Sequence, residues 1–257
     1  MLRDVVKSIA RSVGVSVTRH RSKDVRLFEA LCGLRDAKTG SEEGKHFLRH
    51  CLQWVHLSKA QLLQDLFVDF VLGGRQGVFC EFGATDGRTL SNSYFLESER
   101  GWSGILAEPG LRWHESLRRN RPNAIIDQRC VYSGTGEHLE FNETSWGEIS
   151  TINTFSNVDG HSKARRGGKV YMVETISLND LLDSHGIASL DYLSVDTEGS
   201  ELEILKRFDF KRFSPSVITV EHNFTAARQE LFALLARAGY RRKFQKYSQF
   251  DDWYVLA

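Results

Sequence analysis

The chain has 257 residues, enough to bury a large single core, and its 41% hydrophobic and 26% charged content are those of a globular protein. Thirty-four basic against 33 acidic side chains leave a net charge of +1, so no overall basic field points to nucleic acid as a partner. The apolar runs fall short of the roughly 20 residues a transmembrane helix needs, and only three prolines occur, which argues against a long disordered linker.

The opening MLRDVVKSIARSVGVSV does not read as a signal peptide, because Asp4, Lys7 and Arg11 interrupt it. Leu2, Val5, Val6, Ile9 and Val13 share a helical face, with Arg19, Arg21, Lys23 and Arg26 soon after. The reading is a short helix packed on the domain, the alternative being peripheral contact with an anionic membrane. Residues 1–57 form an N-terminal helical extension and 58–257 the main domain. Residues 33–44 suit a flexible joint. Leu62, Leu63, Leu66, Phe67, Phe70 and Val71 give a helix with Ser58 as N-cap and Gly73-Gly74 as its stop.

From Gly77 the pattern alternates. Strands are read at 77–82, 103–107, 124–127, 190–195 and 216–221, and helices near 89–98, 110–120, 177–184, 199–207 and 224–238. This alternation predicts an α/β fold with a doubly wound, mostly parallel sheet. HLEFNET and KVYMVETI add strand-like pieces, YRRKFQKY and DDWYVLA an antiparallel C-terminal hairpin, and residues 143–169 a long polar loop. The cysteines Cys32, Cys51, Cys80 and Cys130 form no CxxC pair and no zinc spacing. They read as reduced and buried, which fits a cytoplasmic protein.

The first strand runs into Gly83-Ala84-Thr85-Asp86-Gly87. A dinucleotide site wants GxGxxG to hold a pyrophosphate, and this loop lacks it. It carries acids instead, Glu81 and Asp86, suited to an ammonium group. Glu108, closing the second strand before Pro109, suits two ribose hydroxyls. Together these point to S-adenosylmethionine rather than a nicotinamide cofactor.

QDLFV (64–68), VFCEFGATDGRTLSNSYFLE, GWSGILAEP, LSVDTEGSELEIL (193–205), VITVEHN (217–223) and the AGY…DDWYVL ending together resemble the FkbM-type family of S-adenosylmethionine-dependent methyltransferases. The similarity runs from about Gln61 to the C-terminus. It implies a Rossmann-like class I methyltransferase sheet and O-methylation, often of sugar hydroxyls in glycans, glycolipids or glycosylated natural products. It implies cofactor contacts from Glu81, Gly83, Asp86 and Glu108, with Gln64, Ala84, Gly87, Asn92 and Pro109 bordering the same site. Phe82 and Thr85 stand where the family often has an aliphatic residue and Asn. A relative that binds cofactor or a partner but has lost catalysis, and a nucleotide-dependent oxidoreductase, are the other readings.

Methylating a hydroxyl needs a base or a metal to take up its proton. Asp196 ends the fourth strand, with Glu198 just beyond, and Glu221, His222 and Asn223 end the fifth. His222 and Asp196 are the candidate bases. Asp196, Glu221 and Asn223 form a candidate set for a divalent cation such as magnesium, a placement similar to that in catechol O-methyltransferase. Alternation along the strand turns Glu221 and His222 to opposite sides without saying which faces the site. Glu201 reads as an exposed helix acid. Glu198, Trp146, Arg165 and Arg166 are candidate acceptor contacts: Trp146 for stacking on a sugar, the basic run HSKARRGGK for an acidic acceptor, or else a solvated flexible loop. The sequence sets no oligomeric state.

Overall fold

A computed structural model describes residues 41–158 and 160–257. The amphipathic N-terminal stretch, the basic residues after it and Cys32 lie outside the described residues. The chain divides into two compact units, Met1–Leu48 and Arg49–Ala257, with the boundary inside helix α1 (Glu42–Trp54). In the described part of the first unit, the Ser41 hydroxyl accepts from Gly44 N at 3.1 Å, and Lys45 pairs with Glu42 at 2.6 Å.

In the second unit, helix α2 (Gln64–Val71) begins later than Ser58. Ser58 Oγ donates to Asp65 Oδ1 at 2.7 Å, and Leu63 turns left-handed (φ 68°), so the carboxylate that would favour the first helical turn ties the preceding loop down instead. Strand β1 (Val78–Phe82) follows, then α3 (Tyr94–Arg100), β2 (Ser103–Ala107), α4 (His114–Asn120) and β3 (Ile125–Asp127). The α3 helix starts five residues later than the 89–98 pattern indicates (94 − 89), because Ser91, Asn92 and Ser93 are bound to Glu81 of β1.

A second sheet comes next, made of β4 (Cys130–Tyr132), β5 (His138–Glu143), β6 (Thr151–Ile152) and β7 (Lys169–Ser177) in the order β4-β7-β5-β6. It is closed by its own apolar cluster of Cys130, Phe141, Ile152 and Val173. The segment 143–169, expected to be one long loop, contributes β6 and two short turns of 3-10 helix to this sheet. The chain then returns through α5 (Leu178–Ser184), β8 (Tyr192–Val195), α6 (Glu201–Leu205), α7 (Phe210–Phe213), β9 (Val217–Glu221), α8 (Ala227–Arg237), β10 (Tyr240–Lys243), α9 (Gln245–Ser248) and β11 (Asp251–Leu256).

The main sheet has seven strands in the order β10-β11-β9-β8-β1-β2-β3, parallel except for β11, which runs antiparallel to both neighbours. Strand order reverses between β1 and β8, and a ligand crevice is expected beyond the carboxyl ends of the strands at that point. One face of the sheet packs Cys80, Phe82, Ile105, Leu193, Val195, Ile218 and Val220 against Leu181, Leu182, Leu202, Leu205, Leu231 and Leu235 from the flanking segments. Cys51, Cys80 and Cys130 are buried and unbridged, and burial pushes the Cys130 thiol up to about 12.

Candidate active site

Gly83 leaves β1 with φ 77°, and a Cβ there would stand 1.9 Å from the Asp196 carbonyl oxygen. Only glycine lets the loop after β1 lie directly against the chain leaving β8. Gly83 N and Ala84 N both donate to Ala107 O, at 3.2 and 3.5 Å, which ties the same loop to the end of β2. Gly87 (φ 74°) admits Leu117 and Arg121 where a side chain would collide with them. Residues 83–87 are therefore pinned between β8 and β2, at the strand-order reversal.

Glu108, at the end of β2, is buried, and its two oxygens accept from Thr85 N (2.8 Å) and Gly110 N (2.7 Å). Burial pushes its carboxyl up to about 7 against the lowering effect of those two N–H groups. Pro109 continues the turn, its carbonyl accepting from Tyr171 OH at 3.5 Å. A carboxylate held in this way by the loop's own backbone keeps a second lone pair on each oxygen and can accept further donors, such as two neighbouring hydroxyls.

The two loop acids assigned to an ammonium group are otherwise engaged. Glu81 accepts from Ser91 Oγ (3.0 Å), Asn92 N (2.8 Å) and Ser93 Oγ, so it holds the approach to α3. Asp86 accepts from Arg88 N (2.8 Å), Thr89 N (2.6 Å) and Thr89 Oγ1 (2.8 Å), folding its own turn. Asn92 sends Nδ2 to Ser194 Oγ at 3.0 Å, while its buried Oδ1 has no protein partner. That orphaned acceptor, the tight turn at Gly83 beside the end of β8 and the fixed Glu108 carboxylate fit S-adenosylmethionine. Gln64 is buried and donates to Asp251 Oδ2 at 2.7 Å, while Asp65 is consumed by Ser58, Lys59, Ala60 and Leu66.

On the other side of the reversal lies a row of acids. Val195 pairs with Val220 and Glu221 with Asp251, so Asp196, Glu221 and Asp251 fall on three adjacent strands in one register row. Asp196 is pushed up to about 7, by loss of hydration first, then by the charges of Glu201 and Glu81 against a lowering hydrogen bond with Glu221. Glu221 is pushed well above the ordinary carboxyl range by burial and by Asp196, Glu198, Glu201 and Asp251. Asp251 is raised to about 8 by burial and by Asp196. Three neighbouring acids that cannot all ionise must share protons or face a cation.

Glu198 (φ 59°) belongs to the same cluster: one carboxylate oxygen each from Asp196, Glu198 and Glu221 lie within 4.8 Å of one another. Asn223 Nδ2 donates to Glu221 Oε2 at 2.8 Å and Glu198 Oε2 at 3.3 Å, bridging the two acids. The expected cation set of Asp196, Glu221 and Asn223 is thus brought together with Glu198 added, Asn223 turning its amide nitrogen, a donor, to the acids. Glu201, expected to be exposed, is buried, and its Oε1 accepts from Thr197 N, Thr197 Oγ1 and Gly199 N at 2.9–3.0 Å. It fastens the turn that carries Glu198.

His222 is not with this group. Alternation turns it to the opposite face, where its Nδ1 accepts from Phe224 N at 3.0 Å and its Nε2 lies 3.8 Å from Asp252. Asp252 is itself bound by Arg228 (2.9 and 3.0 Å) and Arg242 (3.1 Å). Burial lowers the His222 pKa, so the ring is neutral and packed. Of the acceptor candidates, Trp146 is 68% exposed and Arg166 is exposed, whereas Arg165 is 1% exposed and spent on Glu198 at 2.7 Å. Arg165 therefore belongs to no solvated loop, and its charge is not free to clamp an anion. Sequence reasoning missed Asp251; the doublet Asp251-Asp252 opening an otherwise apolar final strand was its only signal.

Among solved structures, the chain is similar to CalS11, the TDP-rhamnose 3'-O-methyltransferase of calicheamicin biosynthesis. The identity is 11%, the match covers 94% of this chain and 97% of that one, and the TM-score is 0.43. It is also similar to an O-methyltransferase from Bacillus cereus in complex with SAH (12% identity, 100% of each chain, TM-score 0.42) and to a TehB-like SAM-dependent methyltransferase from Corynebacterium glutamicum (10% identity, 83% and 99%, TM-score 0.37). At these scores the likenesses decide nothing about residues or substrate. A search of curated proteins finds no significant match. The Methyltransferase FkbM domain matches residues 81–242, from the end of β1 through β10, and so takes in both sides of the crevice. With that match over more than half of its length, on a seven-stranded, mostly parallel sheet, the chain belongs to the FkbM family and is an S-adenosylmethionine-dependent methyltransferase.

Proposed function

We propose that this methyltransferase acts on a hydroxyl group, that of a sugar in a glycan, glycolipid or glycosylated natural product, with Asp196 as the general base. The observation that carries the reading is the close approach of the Asp196 and Glu221 carboxyls at adjacent strand ends, with Asp196 against Gly83. An ordinary carboxylate is too weak a base for a hydroxyl. One raised to about 7 is still about half ionised at neutral pH and holds a proton more tightly, which is the compromise general-base catalysis needs. S-adenosylmethionine, when bound, supplies the electrophilic methyl group. The residues of this chain do the rest. Glu108 and the turn 83–87 fix the cofactor, with Asn92, Gln64 and Pro109 at its border. Asp196 takes the hydroxyl proton as the oxygen–carbon bond forms and the carbon–sulfur bond breaks. Glu221 adjusts by hydrogen bonding. Glu81 and Asp86 serve this site by shaping its loop, and Trp146 and Arg166 are the exposed side chains assigned to the acceptor.

The test is transfer of a radiolabelled methyl group to a panel of oligosaccharides, glycolipids and glycosylated small molecules. The expected product is an alkali-stable methyl ether. Cofactor binding without transfer to any hydroxyl, or transfer to nitrogen, overturns it.

A second reading rests on one further observation, the approach of Asp196, Glu198 and Glu221 to within 4.8 Å. Oxygen donors of this kind suit a hard divalent cation such as magnesium, which would acidify the hydroxyl in place of a base. Activity that survives exhaustive EDTA removes this reading and leaves the first intact. The buried, unbridged cysteines support a reducing, cytoplasmic location.

A further inference from the structure

The segment Gly160–Gly168 combines a polar, strongly basic sequence with one deeply buried guanidinium. Its exposed residues include Lys163 and Arg166, yet Arg165 between them is 1% exposed. The segment is folded on itself: Ala164 N and Arg165 N donate to His161 O at 2.8 and 3.1 Å, and Gly168 N donates to Arg165 O at 3.4 Å. Arg165 then fastens it to its surroundings. Arg165 Nη2 meets Glu198 Oε2 at 2.7 Å, Arg165 Nε donates to Ile149 O at 2.7 Å, and the Arg165 carbonyl accepts from Asn142 Nδ2 at 3.1 Å.

The same oxygen of Glu198 is bound by Asn223, and Asn223 holds Glu221. A continuous line of polar contacts therefore runs from the second sheet to the acid row: Arg165, Glu198, Asn223, Glu221. The turn receiving it is clamped from the same side, because Thr151 Oγ1 donates to Thr197 O and Glu198 O, both at 3.1 Å, and Phe155 and Val158 close over Gly199. A buried charge pair has no stable half: either partner left alone is desolvated without compensation, so the pair stays together or the segment leaves with it.

We infer that Arg165 is a positioning residue for the acceptor side of the site, anchoring the segment Gly160–Gly168 as a strap and, through Glu198 and Asn223, holding Glu221 in its place beside Asp196. This rests on the reading of Asp196 and Glu221 as the acids at the methyl-transfer centre. Arg165, 1% exposed, acts through Glu198 and Asn223 and so sets where the groups that meet the acceptor stand. Its contacts bypass Glu108 and the turn 83–87, so cofactor affinity is separate from its action.

The test compares the full-length protein with R165Q, R165K and E198Q. Trypsin cuts at Lys163 and Arg166 report the strap without any substrate. When opening is fast relative to cleavage, the cutting rate follows the open population, and loss of a buried pair partner raises it about tenfold or more. R165Q and E198Q are expected to be cut at that faster rate, with R165K between them and the wild type and all variants retaining a cooperative melt. S-adenosylmethionine affinity by calorimetry is expected to stay within about threefold in R165Q, while acceptor KM, for the acceptor found in the panel above, rises about tenfold, and R165K restores part of it. R165Q resisting trypsin like the wild type, or losing cofactor affinity as far as acceptor KM, overturns the inference. Should R165Q fail to fold, R165K and E198Q carry the same comparison. If no panel member is methylated, the proposed acceptor class fails, and the trypsin and calorimetry arms still decide whether Arg165 anchors the strap independently of the cofactor site.

Discussion

The two sides of the crevice both end their strands on acids, and they treat them oppositely. On the β1/β2 side, Glu81 accepts from three donors of the 91–93 loop and Glu108 from two backbone N–H groups. These carboxylates are immobilised by fixed donors, which is how a rigid binding surface is made. On the β8/β9/β11 side, Asp196, Glu221 and Asp251 face one another across the register, with one amide each from Asn223 and Gln64 to help. Buried side by side, they cannot all ionise unless a cation faces them. The first arrangement suits recognition, where nothing should change; the second suits chemistry, where a proton must move.

The largest expected effect breaks that contrast at its reactive end. Asp196→Asn keeps the shape and removes the proposed base, so kcat is expected to fall about 10²–10⁴-fold while S-adenosylmethionine affinity by calorimetry changes by only a few-fold. In the wild type, the base works ionised and its carboxyl sits at about 7, so kcat should fall about tenfold per pH unit below that value and level off above it. A flat profile between about pH 5 and 8 would remove Asp196 from the role.

Next in size is the recognition end. Glu108→Gln leaves a side chain that can still accept from Thr85 or Gly110 but loses the charge-assisted bonds proposed to the ribose. Such bonds contribute about 1.5–3 kcal/mol, so the cofactor Kd should weaken about 10–100-fold with kcat at saturating cofactor little altered. A loss confined to kcat would merge the two sides and end the distinction.

The contrast itself was only half legible in the sequence. The strand ends, the glycines and the acids Glu108, Asp196 and Glu221 lie where β-alternation and the loop motif put them, because strands buried on both faces leave an apolar signature and acids at their ends interrupt it. Hydrogen-bond ownership is invisible at that level: Glu81 reads as a ligand acid until Ser91 and Ser93 are seen to reach it. Arg165 reads as a flexible basic residue because its partner Glu198 is 33 positions away. Asp251 gives no sign of its pairing, because antiparallel pairing brings it to Glu221 only after the chain has made one further strand, β10, and turned back.

A smaller effect sharpens the proton-sharing half. Asp251 titrates at about 8 in the folded chain, against 3.8 for an ordinary Asp. The unfolded chain therefore gives up this proton first as pH rises, and folding stability is lost between about pH 4 and 8. Asp251→Asn removes that loss and still offers Gln64 an acceptor. The cofactor-free variant should melt ~3–6 °C above wild type near pH 8.5, with the gap closing toward pH 5. A variant less stable at the higher pH would mean that the carboxylate is ionised and paired there.

The smallest expected effect concerns His222, the residue whose type alone nominates it as the base. Its ring lies on the side of β9 away from Asp196, with Nδ1 accepting from Phe224 N at 3.0 Å and Nε2 directed toward Asp252. Burial lowers its pKa, so it carries no proton to exchange near neutrality. Asn can place an oxygen where Nδ1 stands and an amide where the ring met Asp252. His222→Asn should therefore hold kcat within about threefold and leave the pH limb near 7 in place, at a stability cost of about 1–2 kcal/mol for the imperfect fit. A hundredfold loss of kcat that also erased this limb would transfer the base from Asp196 to His222. It would require the end of β9 to turn over during the reaction, and the acids of β8, β9 and β11 would then be a cation site alone.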